Sequence, residues 1–210
     1  MPVDLFLRGL AIGFAVAFAL GPIGLLVIKR TVDRGWSYGF LSGTGVATAD
    51  ATYGAIAAFG LTAITELLVG IDRWLGIIGG TALLLLAAKA LRDARSDDTA
   101  TARADPGPLS TPLGGWASMV ALTLTNPATI LSFAALFASI GAGTGGAGGA
   151  TAVVAGVFLG SVAWWAILTG VVARLRARMT PRAIRWLNVA SAVIIGRFGV
   201  AAIVIGVSAG

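Results

Sequence analysis

The sequence has no cysteine and no histidine, and only nine of its 210 residues are carboxylates. Without cysteine, neither disulfides nor thiolate chemistry is available, and without histidine the commonest general base and metal ligand is missing. Charged residues make up 11% of the chain, against roughly 25% in an average soluble domain. This inventory argues against a hydrolase or a metalloenzyme, so we expect no enzymatic activity, no metal and no cofactor.

A nucleotide-binding P-loop is also missing. The only two lysines, Lys29 and Lys89, lie outside any G-x-x-x-x-G-K-[ST] motif, which excludes ATP-driven transport by this chain alone. The net charge of +6 comes from fifteen basic residues that are scattered between apolar runs. That distribution indicates membrane topology and no nucleic-acid partner.

Long apolar runs dominate the chain, which is 57% hydrophobic. At about 1.5 Å of rise per residue, a helix of about 20 residues crosses the roughly 30 Å hydrocarbon core of a bilayer. Six runs approach or exceed that length, at about residues 9–28, 37–61, 71–90, 114–140, 151–173 and 185–207. We therefore predict an all-α integral membrane protein with six transmembrane helices in a single domain, residues 1–210. Five spans with one re-entrant segment is the alternative.

The basic residues fall almost entirely on one side of this arrangement. With six spans, the loops after spans one, three and five share one side of the membrane, and the two termini share the other. Those three loops hold twelve of the fifteen basic residues, namely Lys29, Arg30, Arg34, Lys89, Arg92, Arg95, Arg103, Arg174, Arg176, Arg178, Arg182 and Arg185. The positive-inside rule therefore places them in the cytoplasm, together with the polar loop at about residues 89–112, and both termini outside.

Two prolines interrupt apolar runs at corresponding places in the two halves of the chain. Shifting the sequence by 105 residues aligns ALGPIGLLVI with LTNPATILSF, so that Pro22 falls on Pro127. Each proline lies inside the first span of a three-span half, and an odd number of spans makes the two halves inverted. We therefore predict two inverted three-helix repeats, about residues 1–91 and 113–210, in which helices one and four are broken.

Paired breaks of this kind point to the central site of a transporter, because freed carbonyls and half-helix ends need a cavity or a neighbouring helix. The alternative is that both prolines only kink helices for packing. Pro127 frees the carbonyl of Thr123, for which the hydroxyl of Thr123 or Thr125 could compensate. The candidate site residues at the two breaks are Gly21, Pro22, Thr123, Thr125, Asn126 and Pro127.

Asp50 is the strongest single candidate, because it lies midway along span two, where a charged and unpartnered carboxylate costs several kcal/mol. Small residues recur every three or four positions on the same helical face, namely Gly39, Gly43, Ala47, Gly54 and Ala57. We therefore expect Asp50 to face protein or a water-filled cavity. It is a candidate proton carrier, and the alternative is a structural carboxylate bonded between helices.

Arg197 is the other charge at mid-membrane depth. It could pair with Asp50, but it lies off the small-residue face of span six, which leaves a separate polar cavity or the interface of a homodimer open. Trp164 and Trp165 lie too deep for an interfacial belt, so we expect them to pack a helix contact, with one as a candidate lining of the substrate path. Stripes of small residues predict close helix approach in spans one and five: Gly9, Gly13, Ala17, Gly24, Gly156, Gly160, Ala163 and Gly170.

This set of features resembles the lysine exporter family, which includes the homoserine and threonine efflux proteins. The matching features are Gly21-Pro22, Asp50 in a small-residue span, the segment TALLLLAAKALR, Asn126-Pro127, Gly156, Gly160 and Trp164. Two residues depart from the family pattern: Ala49 stands where many members have glycine, and Arg197 lies in a stretch that is usually uncharged. The resemblance implies a carrier of the inner membrane that exports amino acids or related solutes, driven by the proton or ion gradient. It also implies that Asp50 and the two breaks frame the transport site.

The competing hypothesis is a carrier or channel for inorganic ions or another small solute. Cation sites tend to gather several carboxylates, whereas one acid and one base suit a zwitterion. Because Asp50 is the one clear carboxylate at mid-membrane depth, we expect a zwitterionic small molecule as the substrate, with protons and the lipid bilayer as the other partners. A non-transporting membrane scaffold is disfavoured, since the short polar loops give it little surface.

Overall fold

The computed structural model describes residues 2–18, 21–59, 72–95, 111–126, 129, 132–133, 146–176 and 178–208 of the chain. Within these ranges the only regular secondary structure is helix, so the predicted all-α class is confirmed. The helices are α1 (Pro2–Phe18), α2 (Pro22–Arg34), α3 (Trp36–Ala58), α4 (Asp72–Arg95), α5 (Pro112–Leu124), α6 (Ala147–Arg176) and α7 (Pro181–Ser208).

Two of these helices are long and apolar enough to cross a membrane by themselves. They are α6, with 30 residues, and the 23-residue part of α7 over Arg182–Val204. Helices α1 and α2 together form a third candidate span that bends by 77° at the break between them. Helix α3 has 23 residues but carries serine, threonine and tyrosine side chains in addition to Asp50. The described residues therefore provide two or three candidate spans, and the six-span architecture stays a prediction.

The polar loop predicted at residues 89–112 begins later than expected. Helix α4 continues through its first residues to Arg95, because leucine, alanine and arginine are good helix formers and no glycine or proline interrupts them. Residues 96–110 of that loop lie outside the described residues, as do residues 60–61, 71 and 134–140 of the predicted spans.

Helices α1 and α6 pack along each other through glycines, as the small-residue stripes predicted. A Cβ atom at Gly9 or Gly13 would overlap the backbone of α6, and a Cβ atom at Gly156 or Gly160 would overlap the backbone of α1. Such backbone contact is possible only where side chains are absent. The stripe on α6 ends at Gly160, since Gly170 meets only the far end of an arginine side chain.

Helix α3 lies at the centre of the fold and packs against α6, α5 and α2. Its small-residue face is turned toward protein: Gly43 lies against Trp165 of α6, a Cβ atom at Gly54 would lie 3.5 Å from the Val157 side chain, and Ala47 is fully buried. This face carries Asp50, so the prediction that Asp50 faces protein and not lipid is confirmed. Helices α4 and α7 form a separate close pair and pack together at Gly80 and Gly199.

The basic ends of α2 and α6 meet at one end of the helix bundle. The Arg176 guanidinium donates to the Asp33 carbonyl at 3.4 Å. Nearby, the Arg30 guanidinium donates to the Gly115 carbonyl at 2.8 Å and to the Ser118 hydroxyl at 2.8 Å, which ties α2 to α5. The ends of the first and fifth predicted spans therefore lie on the same side of the fold.

Candidate functional site

The first break separates α1 from α2, and a proline begins the second helix. Pro22 occupies the first position of α2, where a backbone N–H would have no partner inside the helix in any case. Gly21 precedes it in an extended conformation, with φ −97° and ψ −161°. No side chain caps this helix start, and the Leu25 N–H donates to the Gly21 carbonyl at 3.3 Å. The proline therefore starts a new helix and does not kink a continuous one.

The second break ends α5 and is held by hydrogen bonds from the adjacent backbone and from α3. The Tyr53 hydroxyl donates to the carbonyl of Leu124, the last residue of α5, at 2.6 Å. The Thr123 carbonyl accepts the Asn126 N–H at 3.2 Å. Pro127 itself lies outside the described residues.

The two threonines before this break differ in what their hydroxyls contact. The Thr125 hydroxyl donates to the Ala121 carbonyl at 2.9 Å, within its own helix. The Thr123 hydroxyl is buried and has no hydrogen-bond partner among the residues that the structure describes. The expectation that one of these hydroxyls satisfies the Thr123 carbonyl is wrong, because the Asn126 N–H donates to that carbonyl and the Thr125 hydroxyl donates to carbonyls earlier in the helix.

Asp50 is 1% exposed and is held by a buried hydrogen-bond chain from α6. The Ser161 hydroxyl donates to Asp50 Oδ2 at 2.8 Å, and Trp165 Nε1–H donates to Ser161 Oγ at 3.1 Å. Ser161 and Trp165 are buried as well. No basic side chain pairs with Asp50 among the residues that the structure describes.

A cavity of about 430 Å³ joins the two breaks to Asp50. Five of the predicted site residues line it: Gly21, Pro22, Asp50, Thr123 and Asn126. The other lining residues are Val16, Ala17, Ile23, Gly24, Val46, Thr129, Ser132, Trp165 and Phe198. The structure thus brings together residues that lie more than 100 positions apart in the sequence.

Three other predicted site residues lie away from the cavity. Trp164 packs edge-on against Phe14 and Phe18 of α1, with ring centroids 5.5 Å and 4.8 Å apart. Thr125 bonds to its own helix, and the side chain of Arg197 is exposed. The Asp50–Arg197 ion pair considered from the sequence is therefore absent from the described part of the chain, and the homodimer stays a prediction.

Ser161, Trp165 and Tyr53 belong to the site, but the sequence predicts Trp165 only as one of two tryptophans that could line the path and does not single out Ser161 or Tyr53. Helical spacing contains a signal for the first two. Gly156, Gly160 and Trp164 follow one another at four residues and share the face toward α1. The residue after each of these, namely Val157, Ser161 and Trp165, lies on the neighbouring face of the helix, which is turned toward α3. A hydroxyl at mid-span on a face that also carries a tryptophan marks a candidate partner for a buried carboxylate.

The lining of the cavity combines opposite electrostatic features. Ile23 and Gly24 bring the N-terminus of α2 to it, and a helix N-terminus is equivalent to roughly half a positive elementary charge. Asp50 contributes a carboxylate. Neutral hydrogen-bonding side chains fill the rest of the polar lining, namely Thr123, Asn126, Thr129 and Ser132. Such a cavity can hold a small solute that carries both a positive and a negative group.

Comparison with known proteins agrees with this picture. Residues 14–206 match the family model described as LysE type translocator. The chain is 26% identical to the lysine exporter LysE of Corynebacterium efficiens, over 97% of this chain and 100% of that protein. It is also 26% identical to a Bacillus subtilis protein named "Putative amino acid efflux protein YcgF", over 77% of both chains. No solved structure matches significantly. With nearly its whole length matched, the chain belongs to the LysE type translocator family.

Proposed function

We propose that the protein is a secondary active efflux carrier that exports an amino acid or an amino-acid-like metabolite across the inner membrane. Family membership and the names of both relatives support amino acid efflux. The observation that carries the proposal is the cavity that joins both helix breaks to the buried Asp50 carboxylate.

The size and lining of the cavity fit a small zwitterion. Its volume of about 430 Å³ lies in the range of roughly 300–1,000 Å³ typical of ligand pockets. Its lining is mostly apolar, with a few polar groups at the helix breaks, and this is the usual composition of a small-molecule site. One carboxylate and one helix N-terminus offer a counter-charge to each end of an amino acid.

The architecture behind this function is six spans in two inverted repeats, with α1 and α2 as span one, α3 and α4 as spans two and three, and α5 beginning span four. In such a repeat, span one corresponds to span four and span five corresponds to span two. A contact between spans one and five therefore has a contact between spans four and two as its counterpart. Both contacts are present, as α1 on α6 and as α5 on α3. Helices α3 and α6 are spans two and five, which correspond to each other, and α4 and α7 are spans three and six, which also correspond. Each of these two contacts is therefore its own counterpart. A twofold relation between the halves accounts for this pattern.

The basic end of the bundle faces the cytoplasm in this proposal. Arg30, Arg34 and Arg176 lie together where α2 meets α3 and where α6 ends. The positive-inside rule puts such residues on the cytoplasmic side. The loop at residues 89–112 then lies on the same side, and both termini lie outside.

Asp50 couples export to the proton gradient in this proposal. Moving one proton inward supplies roughly 2.3 kcal/mol of free energy for each 100 mV of membrane potential. A zwitterion has no net charge, so its own movement gains no free energy from the membrane potential. Ser161 can stay hydrogen-bonded to Asp50 in both protonation states, because a hydroxyl can donate to a carboxylate and accept from a carboxylic acid. The carboxyl group can therefore gain and lose a proton without losing its anchor.

Amino acid release from cells tests the proposed function. Bacteria that express the protein and bacteria that carry an empty vector are fed dipeptides, so that free amino acids accumulate inside. We expect the expressing cells to release one amino acid, or a small group of them, faster than the control cells. An Asp50→Asn variant present at the same level in the membrane should release no more than the control. Equal release of every amino acid with and without the protein would contradict amino acid efflux.

A further inference from the structure

The first turn of α2 presents to the cavity backbone N–H groups that have no acceptor within the helix. Its N-cap residue, Gly21, has no side chain to cap the helix, and Pro22 has no N–H. The N–H groups of Ile23 and Gly24 have no acceptor within the helix, because the carbonyls four residues earlier precede it. All four residues line the cavity. Unpaired N–H groups at a helix N-terminus bind anions, and carboxylates are among the anions they bind.

Thr123 is a second and independent observation that points to a ligand. It is 1% exposed, it lines the same cavity, and its hydroxyl has no partner in the described part of the chain. Eight other threonines, seven within helices and Thr125 at the end of α5, donate to a carbonyl three or four residues earlier: Thr31, Thr44, Thr48, Thr52, Thr81, Thr125, Thr151 and Thr169. Two more buried polar atoms lack partners in the described residues, on Trp164 and Ser191, but neither residue lines the cavity. The free hydroxyl at the cavity is therefore the exception that a bound solute would explain.

We propose that the first turn of α2 and the Thr123 hydroxyl bind the carboxylate of the exported amino acid, while Asp50 faces its ammonium group. This inference rests on the proposed function and deepens it, because it names the chemical group that the site requires. The donors come from both helix breaks, so the bound carboxylate bridges the two halves of the molecule. A solute without a carboxylate lacks the group that these donors recognise.

Ligand-dependent thermal stability of the purified protein is the first test. Each proteinogenic L-amino acid is added in turn, and the one with the largest rise in Tm is then compared with its carboxamide, in which a neutral amide replaces the carboxylate. We expect the amino acid to stabilise the protein and the carboxamide to have little effect. Equal stabilisation by both would overturn the carboxylate site and leave the proposed function intact. No stabilisation by any amino acid would count against the proposed function and against this inference with it.

Two threonine variants separate binding from folding. Thr123→Val keeps the side-chain shape and removes a hydroxyl that has no protein partner, so we expect an unchanged Tm without ligand. Its affinity for the amino acid should fall roughly ten- to hundredfold, the usual loss for one hydrogen bond to a charged group. Thr125→Val is the matched control, two residues away and turned toward its own helix, and it should bind normally. Equal affinities for the two variants would overturn the role of Thr123.

A substitution at Gly21 gives a result that misfolding cannot imitate. A Cβ atom at Gly21 meets no described atom within 4 Å, so a side chain fits there. In Gly21→Asp the new carboxylate can cap the N–H groups of Ile23 and Gly24, as aspartate does at helix starts. We expect a higher Tm without ligand together with loss of the response to the amino acid. A Gly21→Asp protein that the amino acid still stabilises as strongly as the wild type would contradict the proposal.

Discussion

At the scale of single residues, the site depends on hydrogen bonds that cross from one helix to another. Asp50 of α3 is held by Ser161 of α6, and Tyr53 of α3 holds the end of α5. Both side chains project from one helix within a single turn, so α3 positions the carboxylate and the second break together. The central helix therefore connects the charge of the site to its geometry.

Tyr53→Phe tests the support of the second break. The change removes the donor at 2.6 Å from the Leu124 carbonyl, which then loses its hydrogen bond to α3. We expect a loss of about 1–3 kcal/mol in the free energy of unfolding, measured by thermal or denaturant unfolding in detergent. Thr52→Val is the control, because Thr52 is exposed on the same helix. Equal stability of the two variants would show that the Tyr53 bond does not hold the break.

The sequence contains enough information to find the carboxylate and four of its cavity neighbours, but not the hydroxyl that holds the carboxylate. Asp50, Gly21 and Pro22 are conspicuous because a charge and a helix breaker are costly inside an apolar run. Ser161 costs little at such a position and is inconspicuous. Trp164 and Trp165 are equivalent in composition, and adjacent helix positions differ by about 100° in direction. Only the packing of α6 against two different helices separates them.

At the scale of helices, close packing of α1 on α6 keeps the break between α1 and α2 beside Asp50. Gly160 can be tested directly, because a Cβ atom there would meet the Leu10 carbonyl. We expect Gly160→Ala to lower the free energy of unfolding by about 1–3 kcal/mol, the usual cost of overpacking. Gly148→Ala in the same helix is the control, since its Cβ atom meets nothing within 4 Å. Equal stability of the two variants would mean that the helices can separate without cost.

The helix breaks are expected to matter for transport more than for insertion. Pro22→Ala and Pro127→Ala restore an N–H and allow a more regular helix, which removes the helix start or end that faces the cavity. We expect both variants to insert normally and to export more slowly, as measured by amino acid release from cells. Pro112→Ala is the matched control, because Pro112 begins α5 away from the cavity. Normal export by both break variants would reduce the breaks to packing features.

The broken character of the first span was predictable, but its geometry was not. Proline inside an apolar run signals a break, whereas the 77° bend depends on how α1 and α2 pack against other helices. The end of α4 at Arg95 also differs from the prediction. The charged residues at the start of the predicted loop at 89–112 suggest a loop, but the helix propensity of the same residues favours a helix. Patterns along the chain therefore locate the breaks better than they define the ends of helices.

At the scale of the whole molecule, the account requires six spans with both termini outside. An alkaline phosphatase reporter fused after Gly210 should be active, because that enzyme folds only outside the cytoplasm. A green fluorescent reporter inserted at residue 100 should fluoresce, because that loop is expected in the cytoplasm. The green fluorescent reporter can also be fused after Gly210, where it should stay dark. An inactive phosphatase and a fluorescent reporter at that position would place the C-terminus in the cytoplasm, which would contradict six spans and favour five.

Asp50, in the cavity between the helix breaks, is proposed to couple export to the proton gradient. The most direct test uses vesicles that contain purified protein and the amino acid identified by the release assay, under an imposed pH gradient. The wild type should move the amino acid against its concentration gradient. Asp4→Asn, which removes an exposed carboxylate at the start of α1, is the control and should behave like the wild type. Asp50→Asn should fold and insert but give no response to the gradient. Normal gradient-driven accumulation by Asp50→Asn would contradict the account.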